Sequence, residues 1–292
     1  MKKCAALLAL LLLPACRGGE RPIRIGSKNF SEQVLLGEIV AQALEARGLA
    51  VDRRLNLGGT FVCHRALTAG ELDAYPEYTG TAFTAILTQK PVSDPAAVRR
   101  FVSAEYTKRW DAVWAPPLGF ENTFAIVVRA DDARRLGLRR ISDLAAHQDT
   151  LRPGFGYEFL EREDGYPGLA RAYGLDFKRR PVQMDLGLLY PALQSRTVDV
   201  VAGNSTDGLI SALGLVVLED DRRYFPPYEA AFVVRGKVWR ENSAVRETLE
   251  GLGGALTAEE MRRLNARIDR DKERPEKVAA EFLASRRRAP KR

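Results

Sequence analysis

The chain has 292 residues, 46% hydrophobic and 28% charged, with only three cysteines. That is the composition of a globular protein of one large or two modest domains, and it excludes the collagen, disordered and disulfide-scaffold classes. The formal charge of +7 resides in Lys2 and Lys3 and in the tail Arg286–Arg292, so residues 4–285 are electrically balanced and lack the basic bias that a nucleic-acid backbone requires.

The first element is a leader. Lys2 and Lys3 precede the apolar run Ala5–Leu13 and then Pro14-Ala15-Cys16. A basic n-region, a short h-region and small residues at a cleavage point make residues 1–15 an export signal peptide. The run is shorter than the roughly 20 apolar residues a spanning helix needs. Leu13-Pro14-Ala15-Cys16 resembles a bacterial lipobox that lipidates Cys16, although Pro14 stands where a small residue is usual. An ordinary secretory signal with a chance cysteine is the alternative. Either reading places the protein outside the cytoplasm, and the lipobox adds a membrane anchor. With Cys4 removed and Cys16 lipidated, Cys63 has no disulfide partner. It reads as a small buried hydrophobe, with a reactive thiol as the other reading.

Past the leader, apolar runs alternate with amphipathic ones, which predicts α/β architecture. Ile23–Gly26 reads as a strand, and Ser31-Glu32-Gln33 opens a helix with the stripe Leu35, Leu36, Ile39, Val40, Ala43 and Leu44. Leu49–Leu55 is a second strand. After the turn Gly58-Gly59, Thr60 is expected to cap a short helix that stops at Gly70. Further strands are expected at Leu72–Tyr75, Thr123–Arg129, Val198–Ala202, Leu215–Leu218 and Ala230–Val234. The C-terminal part reads as helical, with residues 286–292 a disordered basic tail that is solvated or drawn to a membrane surface.

Residues 66–80, ALTAGELDAYPEYTG, resemble residues 192–206, ALQSRTVDVVAGNST. Ala66/Ala192, Leu67/Leu193 and Asp73/Asp199 are identical in register, and Leu72/Val198 and Ala74/Val200 agree in kind. Each is a helix end, a turn, a strand and then polar or aromatic residues. Ligands of open α/β sheets bind beyond the carboxyl ends of strands, so two such units predict two lobes facing one cleft.

Chemistry-bearing patterns are few. His64 and His147 have no metal-ligand spacing, Gly154-Phe155-Gly156 lacks the third glycine of a phosphate loop, and no G-x-S-x-G elbow occurs. Glu219, Asp220 and Asp221 read as a solvated turn. Aromatics do gather at strand ends: Tyr75 and Tyr78 around Pro76-Glu77, Phe120 and Phe124, and Tyr224-Phe225-Pro226-Pro227-Tyr228. Such rings either cover the edge of a core or form a cage for a quaternary ammonium ion, which donates no hydrogen bond and is held by cation–π and dispersion contacts. Lys28, Arg162 and Thr81 are candidates for a carboxylate at the ligand's other end.

Gly26-Ser27-Lys28-Asn29-Phe30-Ser31-Glu32-Gln33, Leu57-Gly58-Gly59-Thr60, Glu77-Tyr78-Thr79-Gly80-Thr81, Leu118-Gly119-Phe120, Ile141-Ser142-Asp143-Leu144, Val198-Asp199-Val200 and Leu218-Glu219-Asp220-Asp221 with Pro226-Pro227-Tyr228 follow one another in a familiar order. Over essentially the whole mature chain they resemble the osmoprotectant-binding proteins of ABC importers, the receptors for glycine betaine, choline and carnitine. The resemblance implies a two-lobed type II periplasmic-binding fold whose mixed-sheet lobes are joined by two crossing strands, near Phe124–Ile126 and Ala230–Phe232. Lobe I is then 16–124 with 230–285, and lobe II is 125–229. It also implies that Lys28, Thr81 and Arg162 hold a carboxylate, while Tyr78 and Tyr228 cage an ammonium group. Phe124 keeps a ring but loses a hydroxyl at a third cage position, and Asn204 puts an amide at a fourth. The implied function is capture of a small quaternary-ammonium compound between the lobes and delivery to a membrane permease driven by an ATPase. A monomer without cofactor, metal or chemical step is expected. A different betaine such as ergothioneine, or a sensing or scaffold role, are the alternatives. An enzyme would need a partner for Glu77, the one acid expected beside the cage, and the sequence offers none.

Overall fold

The computed structural model describes residues 21–288, so the leader and Cys16 lie outside the described residues. The strands are β1 (Ile23–Gly26), β2 (Val51–Arg54), β3 (Ala74–Tyr78), β4 (Ala112–Trp114), β5 (Phe124–Arg129), β6 (Pro153–Phe155), β7 (Val182–Gln183), β8 (Val200–Asn204), β9 (Leu215–Val217) and β10 (Ala230–Arg235). They form two five-stranded mixed sheets of matching order, β2-β1-β3-β10-β4 and β7-β6-β8-β5-β9. Within each, three parallel strands are followed by two joined antiparallel, so the two lobes repeat one plan.

The internal similarity has a physical basis. Asp73 precedes β3, accepts the backbone N–H of Arg24 at 2.9 Å, and takes the guanidiniums of Arg24 and Arg235. Asp199 precedes β8 and does the same with the N–H of Arg152 at 3.0 Å and the guanidiniums of Arg152 and Arg129. Arg235 and Arg129 close β10 and β5, the equivalent antiparallel strands. Because each aspartate is engaged in this clasp, the ladder begins one residue later. β3 and β8 therefore run as Ala74–Tyr78 and Val200–Asn204 rather than from Leu72 and Val198 as expected. Pro76 lies inside β3 because β1 pairs with β3 only at Ala74, so the far part of that edge is free of a ladder partner.

The chain crosses between lobes twice, just ahead of β5 and β10 rather than inside them. Glu121 and Glu229 form an antiparallel bridge, the N–H of Asn122 donates to Tyr228 O at 3.0 Å, and that of Ala230 donates to Phe120 O at 3.1 Å. Phe124 and Ala230 are already paired within their sheets, to Asn204 and Tyr78. A third link joins the lobes. The C-terminal helix Ala258–Asp269 packs on Gly208–Ala212, and Asn265 Nδ2 donates to Thr206 O at 3.0 Å.

Helix α1 (Ser31–Glu45) buries Leu35, Leu36, Ile39, Val40 and Leu44 between β1–β3 and the last helix, Pro275–Arg288. Val278, Ala279 and Phe282 anchor that last helix in the core. It therefore continues beyond residue 285, and Arg286 donates to Ala255 O at 2.8 Å while lying over the Phe282 ring. The expected disorder does not hold at Arg286–Arg288, and residues 289–292 lie outside the described residues. Helix α2 (Thr60–Thr68) starts with Gly59 in the cap position, so Thr60 is its first residue and not its cap. Cys63 on α2 is fully buried, and burial pushes its thiol up to about 12.

Two outcomes follow from this packing. Replacing Asp73 by Ala leaves Arg24 and Arg235 without their buried partner; a loss of about 3–5 kcal/mol lowers the melting temperature by on the order of 10 °C. Asp199→Ala costs less, because Asp199 is the more exposed of the two (15% against 4%). Calorimetric melting checks both, and an Asp73→Ala protein that melts like the wild type removes the clasp from the account. In the chain from Arg17 onward, Cys63 should resist a disulfide-exchange reagent at pH 8 until denaturant is added. Rapid labelling of the native protein would show a reactive thiol instead.

Candidate functional site

A cavity of about 70 Å³ lies between the lobes at the carboxyl ends of β3 and β8. Lys28, Tyr78, Thr81, Phe124, Arg162, Asn204 and Tyr228 all line it. Asn29, Phe30, Gly59, Thr60, Asn122, Tyr157, Glu158, Phe159, Leu186 and Ala202 complete the wall.

Lobe I supplies the floor. Lys28 follows β1 and is buried; its ammonium pairs with Glu77 and sits 5.1 Å from the centre of the Tyr78 ring. Glu77 thus has a partner after all, and it also accepts from Tyr75 Oη and the N–H of Tyr78. Tyr78 ends β3 and stacks on Phe30 at 6.4 Å. Its hydroxyl donates to Glu32 Oε1 at 2.6 Å, and Asn122 Nδ2 and Asn265 Nδ2 donate to the same carboxylate. Burial pushes the Glu32 carboxyl up while these donors oppose it, and burial keeps the Tyr78 phenol neutral.

The second wall comes from lobe II and the returning crossover. Arg162 is buried and forms a two-point pair with Asp164, Nε to Oδ1 at 2.9 Å and Nη2 to Oδ2 at 2.6 Å. Its Nη2 also reaches across the cleft to Thr81 Oγ1 at 3.2 Å, and its guanidinium lies 5.2 Å from the Phe124 ring centre. Tyr228 Oη donates to Asp164 Oδ2 at 2.7 Å. Burial acts to raise the Asp164 carboxyl, but Arg162 and Tyr228 outweigh it and hold it below the usual carboxylate range. Gly80 lets Tyr228 approach the cavity: a Cβ there would stand 2.7 Å from Pro227 O and from the Tyr228 ring.

Phe124 packs edge-on to Phe159 at 4.8 Å and to Tyr228 at 5.9 Å, and it faces Asn204 directly in the β5–β8 ladder. The rings at this site therefore meet one another as well as the cavity. Asn204, at the end of β8, occupies the position equivalent to Tyr78 at the end of β3. Its backbone N–H donates to Asp207 Oδ2 at 2.9 Å and its Nδ2 to Oδ1 at 3.4 Å, while Tyr190 Oη donates to Oδ2 at 2.6 Å. Burial raises the Asp207 carboxyl to about 6.

Several residues of the wall escaped sequence reasoning. Glu158 Oε1 accepts the N–H of Thr60 at 2.6 Å, so the first turn of α2 is capped from the opposite lobe by a carboxylate. Gly59 permits this, since a Cβ there would collide with Glu158. Asn29 Nδ2 donates across the cleft to Tyr157 Oη at 3.2 Å. Glu158 and Asp164 flank the predicted Arg162 within a few positions, but nothing in a linear pattern shows that they turn inward. Asp220 is not a solvated turn residue. It accepts from Tyr173 Oη and the N–H groups of Tyr224 and Phe225, and so shapes the loop that leads to Tyr228. The histidines stand apart from the cavity. His64 packs edge-on to Trp110 and Tyr106, with burial lowering it to about 4, and His147 bonds Leu136 O. No described helix is long and apolar enough to cross a membrane.

Residues 21–285 match the family model described as the substrate-binding domain of ABC-type glycine betaine transport systems. A glycine-betaine-binding protein of Pseudomonas aeruginosa is 37% identical over 96% of this chain and 91% of its own length. The ergothioneine transport permease/ergothioneine binding protein of Helicobacter pylori is 34% identical over 94% of this chain and 49% of its own length. The crystal structure of a glycine betaine/carnitine/choline ABC transporter protein, 33% identical, superposes over 91% of this chain and 98% of that one with a TM-score of 0.74. Two lobes of one plan, a cavity between them and a match that spans both place the chain in the family of substrate-binding proteins of ABC-type glycine betaine importers, which work outside the cytoplasm.

Proposed function

We propose that the protein captures a small quaternary-ammonium compound, of the glycine betaine, choline or carnitine kind, and hands it to its permease and the ATPase that drives it. The observation that carries this reading is the convergence of the Tyr78, Phe124 and Tyr228 rings with Lys28, Arg162 and Thr81 on one cavity. Each ring contributes about 0.5–2 kcal/mol to holding an ammonium group, so three together reach useful affinity. Thr81, Arg162 and Lys28 bring hydrogen-bond donors to the same space for the polar end of the ligand. A second reading, a larger betaine such as ergothioneine, is favoured by the amide of Asn204 where a fourth ring is expected and by the named activity of the Helicobacter pylori relative.

The cycle we propose uses the crossovers as a hinge. In the open form the cleft admits ligand; closure brings Arg162 to Thr81, Tyr157 to Asn29 and Glu158 to the α2 N-terminus, and each contact favours the closed state only when the lobes meet. We further propose that the leader 1–15 is removed and that lipid on Cys16 tethers a monomer beside the permease.

The ring and the hydroxyl of Tyr78 separate experimentally. In calorimetric titration against glycine betaine, choline, carnitine, proline betaine and ergothioneine, Tyr78→Ala should weaken the best ligand by tenfold or more. Tyr78→Phe should bind within a few fold of wild type but melt several degrees lower, because Glu32 loses a donor. Undiminished affinity in Tyr78→Ala would take the ring out of the site. The α2 cap gives a second test. Glu158→Ala and Gly59→Ala should each weaken binding about tenfold, and the double variant should be no worse than either, since both remove one contact. Additive losses would mean that the two residues act separately.

A further inference from the structure

We infer that the cavity selects a quaternary-ammonium compound that also donates a hydrogen bond, from a hydroxyl or N–H group, and that Asn204, aided by Asn122, makes this selection. The inference rests on the reading proposed above and narrows it. Asn122 and Asn204 both line the cavity and bracket Phe124, the first two positions before it in the chain and the second opposite it across the ladder.

The orientation of each amide is decided by a neighbouring carboxylate. An ionised carboxylate only accepts, so the NH2 end must face it. Asn122 Nδ2 donates to Glu32 Oε1 at 2.8 Å, a carboxylate whose other partners, Tyr78 Oη and Asn265 Nδ2, are also donors. Asn204 turns its Nδ2 to Asp207 Oδ1, while its backbone N–H and Tyr190 Oη hold Oδ2. Both amide oxygens are thereby turned away from the carboxylates. Asn122 Oδ1 is buried without a partner, and Asn204 Oδ1 receives no hydrogen bond from any described residue.

Three of the rings that line the cavity supply no donor to these oxygens. Tyr78 Oη is committed to Glu32 and Tyr228 Oη to Asp164, and Phe124 has no hydroxyl. A trimethylammonium group has no N–H, and glycine betaine has no donor anywhere. An acceptor that ligand binding seals from water without a partner opposes the complex, whereas a ligand hydroxyl or N–H placed beside the ammonium group relieves it. Sites that hydrogen-bond a ligand group discriminate sharply against the analogue lacking it, more so than sites that only measure shape.

Matched ligands test this. Choline and carnitine are each titrated against their O-methyl ethers, which keep the charge and the trimethylammonium head but cannot donate; glycine betaine and ergothioneine complete the panel. Choline or carnitine should bind at least tenfold tighter than its ether, or ergothioneine alone should bind. In Asn204→Leu the ratio of parent to ether affinity should shrink to about threefold or less, whatever the absolute affinities become; Asn122→Ala should shrink it as well. An ether that binds as well as its parent, tightest binding by glycine betaine, or a gap that survives both substitutions overturns the inference while leaving quaternary-ammonium capture standing. Silence of the folded wild-type protein towards the whole panel overturns the proposed function and this inference together.

Discussion

An aspartate at the head of a parallel strand, gripping both the N–H and the guanidinium of the residue beside it, sets the register of each sheet. Asp73 with Arg24, and Asp199 with Arg152, decide which residue begins β3 and β8, and so which residue ends them. Since side chains alternate along a strand, a one-residue slip would turn Tyr78 and Asn204 out of the cavity. The glycine that ends β1 and its counterpart in β6 complete the clasp: Gly26 and Gly154 are overhung by Leu72 and Val198, each the residue before the clasping aspartate. The cleft is where it is because two such units face each other.

From that arrangement follows a pairing of unlike residues at equivalent places. Lobe I ends its strand in a tyrosine whose hydroxyl is spent on Glu32; lobe II ends the matching strand in an asparagine held by Asp207. The fold therefore presents an aromatic face on one side and an amide on the other, with Phe124 and Tyr228 between them. Closure is likewise carried by polar groups from both lobes, and each side contributes what the other lacks: a bare helix N-terminus meets a carboxylate, and a hydroxyl meets a guanidinium.

Much of this was legible from residue order alone. Alternating apolar runs gave the α/β class, and the repeat around Asp73 and Asp199 pointed to two lobes and to the ends of their third strands. Lys28, Thr81, Arg162 and the strand-end rings stand out in the sequence itself, whereas the roles of Tyr78, Phe124, Asn204 and Tyr228 rest on the resemblance to the osmoprotectant-binding family. Boundaries were less legible. A strand propensity window includes Leu72 and Val198, while the clasp that excludes them depends on arginines far away in the chain. The direction of acidic side chains was not legible at all: Glu32, Asp164 and Glu158 look like ordinary surface residues until the partner that each one turns inward to meet is in place. The basic tail misled for the same reason, since Phe282 and Ala279 continue a helix that composition alone reads as frayed.

The two cations that line the cavity are each held in a close buried pair, Lys28 with Glu77 and Arg162 with Asp164. Pairs held at contact distance away from solvent are screened far less by dissolved salt than charges that act through water. What these two cations contribute to holding a ligand therefore comes from short-range contact rather than from a long-range field. Contacts of that kind weaken little as ionic strength rises, whereas electrostatic steering fades.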